Sequence, residues 1–525
     1  MPAAIRNYVL LFIGCLAFHL AGTWNLPLID RDEPRFAEAS REMIERGDFV
    51  VPFFNNEYRF DKPPLTYWFH VASYRVFGEN DFAARFPTAI AGALVAVVLM
   101  AWGTRVGHAA ALGQDGSWRA GSMRYERNSE ACATGVWAAV LFTLCLQTFL
   151  HGKAAVADMW LVLFVTLAHW AGWELLRGGN ARFFWVLYPS LALGFLAKGP
   201  IAWTPLLTIA STRHLFDRQR RGAATTMGPR EQYERAFHGD PTIARVAQES
   251  QRLFFIPGSL LAIALVCAWA VPALQRTRGE FFYVGIGRHV IARSFAPMEG
   301  HGANSLGAYL ALSPLYFVTV FASFFPWSIK LPALVRNMRL GHRDASDNFL
   351  LAGTLTIFLI FTLVKTKLPH YTLPAFPLLA LLMARRWQRL KLSRAMAWCA
   401  AVLFLAIALI APPFISRLTP SKMLANASRA VLRGEMQFAA AEYTEPSLVW
   451  YFRRDVHGFM TPLKVKEAAG FFGQRGPRFI IVPTKSVPKL FPRIEPEWRI
   501  FRAQGWDIAK AARVDVTMVA KENDE

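Results

Sequence analysis

The chain has 525 residues, 54% of them hydrophobic, 14% aromatic and only 18% charged. The hydrophobicity excludes a disordered chain, and the charge deficit at this length excludes an ordinary soluble globule. The 58 Lys and Arg against 37 Asp and Glu leave a net charge of +21, and the basic residues cluster in short loops between apolar runs. This is the pattern of membrane orientation rather than of nucleic-acid binding, so an integral membrane protein is expected, with no nucleic-acid partner.

A hydrocarbon core of about 30 Å takes about 20 helical residues, and runs of that kind give about eleven spans, up to thirteen. They lie near 5–26, 86–106, 131–150, 159–176, 183–198, 200–212, 253–274, 306–330, 349–364, 370–386 and 395–415. With the N-terminus inside, the loops after even-numbered spans (107–130, 177–182, 213–252, 331–348 and 387–394) are all basic, as the positive-inside rule requires. The opposite loops, 27–85, 151–158, 275–305 and 365–369, are then outside, and so is the tail. Cys15, Cys132, Cys145, Cys267 and Cys399 all fall in apolar stretches and read as buried thiols.

After Ala411-Pro412-Pro413 the apolar runs shorten to strand length, at Gln437–Tyr443, Arg478–Pro483, Trp498–Arg502 and Ala512–Ala520. Helix-like pieces, Pro446–Arg454 and Lys464–Phe472, separate them. Two domains are therefore expected: a helical polytopic membrane domain over 1–415 and a small α/β domain over 416–525, outside the membrane.

The loop 27–85 carries most of the chemistry. It contains Asp32-Glu33-Pro34-Arg35 and closes on Arg59-Phe60-Asp61-Lys62-Pro63-Pro64. Pro34 fits a first helical turn, so Asp32 or Glu33 can serve as a helix cap at the interface. Other ionisable groups reach the same level: Lys62, Asp158 at the start of a span, His289 with Arg288 and Arg293, and Tyr371. Singly, such a cation snorkels. Together, cations beside carboxylates suit a reaction on an anionic lipid headgroup: Lys and Arg hold phosphate oxygens, and an Asp takes a proton from the acceptor. A transporter or flippase for a lipid-linked glycan is the alternative, yet coupled transporters bury ionisable groups near the midplane. No Gly-rich nucleotide cradle is evident, so no nucleotide cofactor is expected.

Several motifs in this order resemble those of a known family. They are Asp32-Glu33-Pro34-Arg35-Phe36-Ala37-Glu38, Asp61-Lys62-Pro63-Pro64, Ala157-Asp158, Ala197-Lys198-Gly199-Pro200, Glu299-Gly300-His301-Gly302, Phe324-Phe325-Pro326-Trp327 and Lys367-Leu368-Pro369-His370-Tyr371. The pattern is similar to bacterial glycosyltransferases of the protein O-mannosyltransferase and aminoarabinose-lipid A transferase superfamily. The resemblance implies a GT-C fold and transfer of one sugar, with inversion, from a polyprenyl-phosphate donor on the outer face of the inner membrane. The acceptor would be lipid A, another glycolipid or a protein hydroxyl. It also implies Asp32 as general base, with Glu33 its paired acid and Asp158 a further active-site acid. Lys62, Arg35, Tyr371 and Arg293 would lie at the donor phosphate, and Asp61 and His289 at the positions of a divalent metal (Zn, Mg or Mn).

Overall fold

The structure, a computed structural model, describes residues 3–112, 121–177, 180–214, 241–292, 306–508 and 510–522. The expected loop 213–252 and the motif Glu299–Gly302 lie largely or wholly outside them. Helices dominate up to residue 428. They begin with α1 (Ala3–Leu20), α2 (Asp32–Arg46), α3 (Leu65–Phe77), α4 (Asp81–Leu112), α5 (Gly121–Thr143), α6 (Leu146–His151), α7 (Asp158–Leu176) and α8 (Phe184–Lys198). A two-residue hairpin, β1 (Phe53–Phe54) and β2 (Glu57–Tyr58), interrupts the first long loop.

Helix α4 is the hub, packed along α1, α5 and α7. Its approach to α5 is close because small residues face each other at four-residue spacing, Gly103 and Gly107 against Ala131 and Gly135. A Cβ on Gly135 would stand 2.3 Å from the Met100 carbonyl, and one on Gly107 would stand 2.8 Å from the Ala131 Cα. Such small-residue seams let backbones meet where lipid gives no hydrophobic push between helices.

Five described helices are long and apolar enough to cross a membrane: Asp81–Gly107, Asp158–Leu176, Ile256–Arg276, Ala345–Leu363 and Arg394–Ser416. A sixth is added if Gly307–Ser323 and Trp327–Leu340, bent by 114° at their junction, count as one span. The remaining apolar runs of the expected eleven are also helical but shorter or broken, and prolines account for much of this. Pro326 sits in the bend, Gly199-Pro200 stops α8, and Pro369 opens a 3₁₀ turn, Pro369–Ala375, ahead of the buried helix Phe376–Ala384. Arg394–Ser416 turns Trp398, Val402, Leu403, Ile410 and Phe414 outward, an apolar exposure suited to lipid. The chain is a membrane protein by these helices.

The C-terminal part carries a five-stranded mixed sheet in the order β4-β3-β5-β7-β6. β3 (Gln437–Ala441) runs parallel to β4 (Met460–Leu463) and β5 (Arg478–Pro483), and β7 (Ala512–Lys521) is antiparallel to β5 and to β6 (Arg499–Asp507). β5 is buried at every position, hence its unbroken apolar run. β4, which the sequence reading did not anticipate, is a four-residue edge strand containing Pro462, and proline within a strand is confined to such edges.

This sheet domain grips the first long loop. Helix Pro446–Phe452 packs on α2, with Arg41 over the Trp450 ring at 4.0 Å. Asp81 accepts from Trp450 Nε1 at 2.9 Å, the Tyr451 hydroxyl at 3.1 Å and Lys422 at 3.0 Å. Arg453 pairs with buried Glu38 and, at 2.7 Å, with Glu45. Asp30 accepts from the Ser447 amide at 2.8 Å and its hydroxyl at 2.5 Å.

Burial beneath the domain pushes the Asp30 carboxyl up to about 7, against the opposing Ser447 hydrogen bonds. In the unfolded chain the same group titrates near 3.8. Between those values the folded state holds a proton that the unfolded state has lost. The Asp30 contribution is therefore full below about pH 4, fades as pH rises and is gone once pH passes about 7. Protection factors for hydrogen exchange over 446–452, with the intrinsic pH dependence of exchange divided out, are expected to be higher at pH 5 than at pH 8. In Asp30→Asn, which keeps an acceptor but cannot titrate, that difference should disappear.

Candidate functional site

The site is built from six chain segments: the start of α2, residues 59–62, the end of α6, the starts of α7 and of the 3₁₀ turn Pro369–Ala375, and the end of α8. α2 begins at Asp32, after Arg31, which occupies the cap position without a side-chain bond. Asp32 and Glu33 thus sit inside the first turn, where the helix dipole favours acids, rather than capping it. Their environments diverge completely. Asp32 is exposed and holds no hydrogen bond among the described residues. Glu33 is 5% exposed, and its two oxygens accept from Arg85 Nε (2.9 Å) and Nη2 (2.7 Å), Ala155 N (2.7 Å) and Ile29 N (2.7 Å). With four donors filling its lone pairs, Glu33 anchors the fold and has no vacancy for a substrate proton. Of the two expected acids, Asp32 is the exposed one and Glu33 the buried one.

Arg35 follows Asp32 by one helical turn, half-buried and with no ion-pair partner among the described residues. Buried Arg59 donates Nε to the Tyr67 hydroxyl at 2.9 Å and pairs with Asp61 at 3.1 Å. Burial opposes the Arg59 charge, but Tyr67 and the carboxylates of Asp61 and Asp32 more than offset it, holding the guanidinium above its ordinary value. Lys62 is half-buried and donates to the Asp61 carbonyl at 3.1 Å.

A second group faces these residues. Asp158, the first residue of α7, is 7% exposed and takes Lys198, the last residue of α8, at 2.5 Å. Lys198 also stands 5.6 Å from the centre of the Tyr371 ring. It is aimed there because the chain turns at Gly199, φ +83°, directly into Pro200. The His370 ring is 5.0 Å from that of His151, at the end of α6, and Asp32 is within electrostatic reach of His370. Asp158 and Lys198 act electrostatically on the same His370 ring. Arg293 lies outside the described residues, as does the side chain of His289, whose backbone belongs to the π-helix Phe282–Ala292.

Of the metal positions implied by the resemblance, Asp61 is paired with Arg59 at 3.1 Å and the side chain of His289 is outside the described residues. Among the described residues, a group of possible ligands converges elsewhere, at His151, Asp158 and His370. Sequence reading did not single out Arg59, Tyr67, His151 or Arg85. The family-like motif containing Lys367 and His370 was a usable signal for His370, whereas Arg85 sits in an apolar helix with nothing to mark it.

No family model matches the chain. The undecaprenyl phosphate-alpha-4-amino-4-deoxy-L-arabinose arabinosyl transferase of Yersinia pestis (strain Pestoides F) is 28% identical over 364 residues, 67% of this chain and 54% of its own length. That of Yersinia enterocolitica serotype O:8 is 27% identical over 381 residues, 70% of this chain and 58% of its own. The chain thus spans little more than half the length of the curated relatives it matches. Among solved structures, ArnT from Cupriavidus metallidurans bound to undecaprenyl phosphate superposes with a TM-score of 0.68 at 17% identity, covering 98% of each chain. The chain has the ArnT fold. The apo form of the same ArnT agrees, with a TM-score of 0.67 at 16% identity. The GT-C architecture with a small C-terminal sheet domain, expected from the motifs, is therefore the one found.

Proposed function

We propose that this chain is an integral-membrane glycosyltransferase that moves one sugar from a polyprenyl-phosphate donor to an envelope acceptor, with inversion, on the extracytoplasmic side of the inner membrane. The observation that carries the reading is a contrast among the described residues: exposed Asp32 holds no hydrogen bond and Arg35, one turn on, no ion pair, while Lys198 stands 5.6 Å from the Tyr371 ring. Asp32 takes the proton of the acceptor hydroxyl or amine as that atom attacks the anomeric carbon. The bond from that carbon to the phosphate oxygen breaks on the opposite face. Polyprenyl phosphate departs with the bonding pair, its charge held by Arg35, Lys62, Arg293 and the Tyr371 hydroxyl. Asp158 keeps Lys198 in place beside the Tyr371 ring.

The basic loops support an N-terminus in the cytoplasm, which sets Asp32 and the sheet domain on the far side. Lipid-linked sugar donors are the natural probe, because the Yersinia relatives are named for an undecaprenyl-phosphate sugar. Purified chain in detergent, given undecaprenyl-phosphate-linked aminoarabinose and lipid A or total envelope lipid, is expected to yield a glycosylated acceptor by mass spectrometry and free undecaprenyl phosphate. Translocation of the donor in proteoliposomes without any glycosidic product would replace this reading with that of a flippase.

A further inference from the structure

Two imidazoles and a carboxylate meet where three separate chain segments end. His151 closes α6, Asp158 opens α7, and His370 is the second residue of the 3₁₀ turn Pro369–Ala375. One ligand atom from each lies within 4.8 Å of the other two. The two imidazole rings stand 5.0 Å apart, their planes tilted by 37°. We propose that His151, Asp158 and His370 form a binding site for one zinc-like divalent ion.

The donor set suits zinc. Two neutral nitrogens and one carboxylate oxygen are borderline ligands, and three protein ligands leave a fourth position open, as in catalytic rather than structural zinc sites. Ligands about 2.0–2.2 Å from one ion stand about 3.3–3.6 Å apart in a tetrahedron, so binding draws this group inward by about an ångström. Side-chain rotation supplies movements of that size.

The surroundings supply two supports of the kind that orient metal ligands. The Gln147 side-chain amide lies 2.9 Å from His151 Nδ1. With its oxygen turned to the ring, Gln147 accepts the Nδ1 proton and leaves Nε2 as the unprotonated ligand. Lys198 holds Asp158 Oδ1 at 2.5 Å, which orients the carboxylate and leaves Oδ2 to coordinate. The ion, Lys198 and Asp158 together would carry a net charge of +2. The open position therefore favours an anionic oxygen; that this anion is the donor phosphate rests on the reading in the preceding subsection, whereas the metal site does not. It is also distinct from the Asp61 and His289 pair, whose carboxylate is held by Arg59.

The test reads binding, not turnover. Full-length protein in detergent, stripped with a chelator, is titrated with Co²⁺ and separately with Zn²⁺. Near-stoichiometric uptake is expected, with the intense visible absorption of four- or five-coordinate Co²⁺. His151→Ala and His370→Ala should each lose most of that absorption and bound metal, and Asp61→Ala should retain both. X-ray absorption of zinc-loaded wild-type chain, which needs no variant, should show two imidazole ligands with oxygen neighbours. The proposal is overturned by the absence of stoichiometric uptake, by retention in both histidine variants, by loss in Asp61→Ala, or by a spectrum with a single imidazole. Uptake without any sugar transfer would uphold the site and count only against the proposed reaction.

Discussion

Asp32→Asn is expected to insert, fold and bind donor, and to transfer sugar about 10²–10⁴-fold more slowly, the usual worth of a general base. The substitution is clean because Asp32 is exposed and makes no hydrogen bond among the described residues. Its structural cost is limited to a carboxylate in the first turn of α2, about 0.3–1 kcal/mol. An Asn at this position matches the shape but cannot accept the acceptor's proton, so the deficit should appear in kcat with little change in the KM for donor. Melting temperature and gel-filtration profile in detergent should match wild type. Turnover close to normal would remove Asp32 from the chemistry and leave it as a helix-terminus charge.

The largest stability effect is expected at Arg85, the partner of the neighbouring acid Glu33. Arg85 is wholly buried and donates to the carbonyls of Leu26 (2.5 Å) and Pro27 (2.6 Å) as well as to both oxygens of Glu33. Arg85→Ala leaves a buried carboxylate without its counter-charge and frees two carbonyls, a cost of about 3–5 kcal/mol. The variant should be recovered in low yield and melt well below wild type. Activity should fall as well, because this cluster fixes the chain from Leu26 to Glu33 that presents Asp32. Glu33→Gln combined with Arg85→Met removes both charges, and its loss should be smaller than the sum of the single losses, since the two residues act as one unit. Equal melting of Arg85→Ala and wild type would show that the pair carries no such weight.

The contrast between Asp32 and Glu33 marks how far the sequence could be read. Adjacent acids after an apolar run announce an interfacial helix start, and α2 does begin there. Nothing in their local pattern assigns one to solvent and the other to the interior. That assignment comes from Arg85 on α4, 52 residues away, and from the Ala155 amide, 122 residues away. The sheet domain was legible for a different reason. β5 and β7 show apolar runs of strand length bounded by turns, while β4 needed its partner β3 to become a strand at all. The spans were legible as apolar runs but not as lengths, because prolines at 200, 326 and 369 break helices that composition alone would continue. His151 was silent, and His370 was marked only by its motif: a histidine near a membrane interface means little until a second ring stands 5.0 Å away.

Composition and patterning by themselves determined a membrane protein with a small α/β tail, because solvent preference is set residue by residue along the chain. Tertiary structure alone decided which charges are anchors and which are available. A buried charge is tolerable only where partners meet it, and those partners come from helices far apart in sequence. Glu33 found four donors, Asp158 found Lys198, and Asp32 was left exposed.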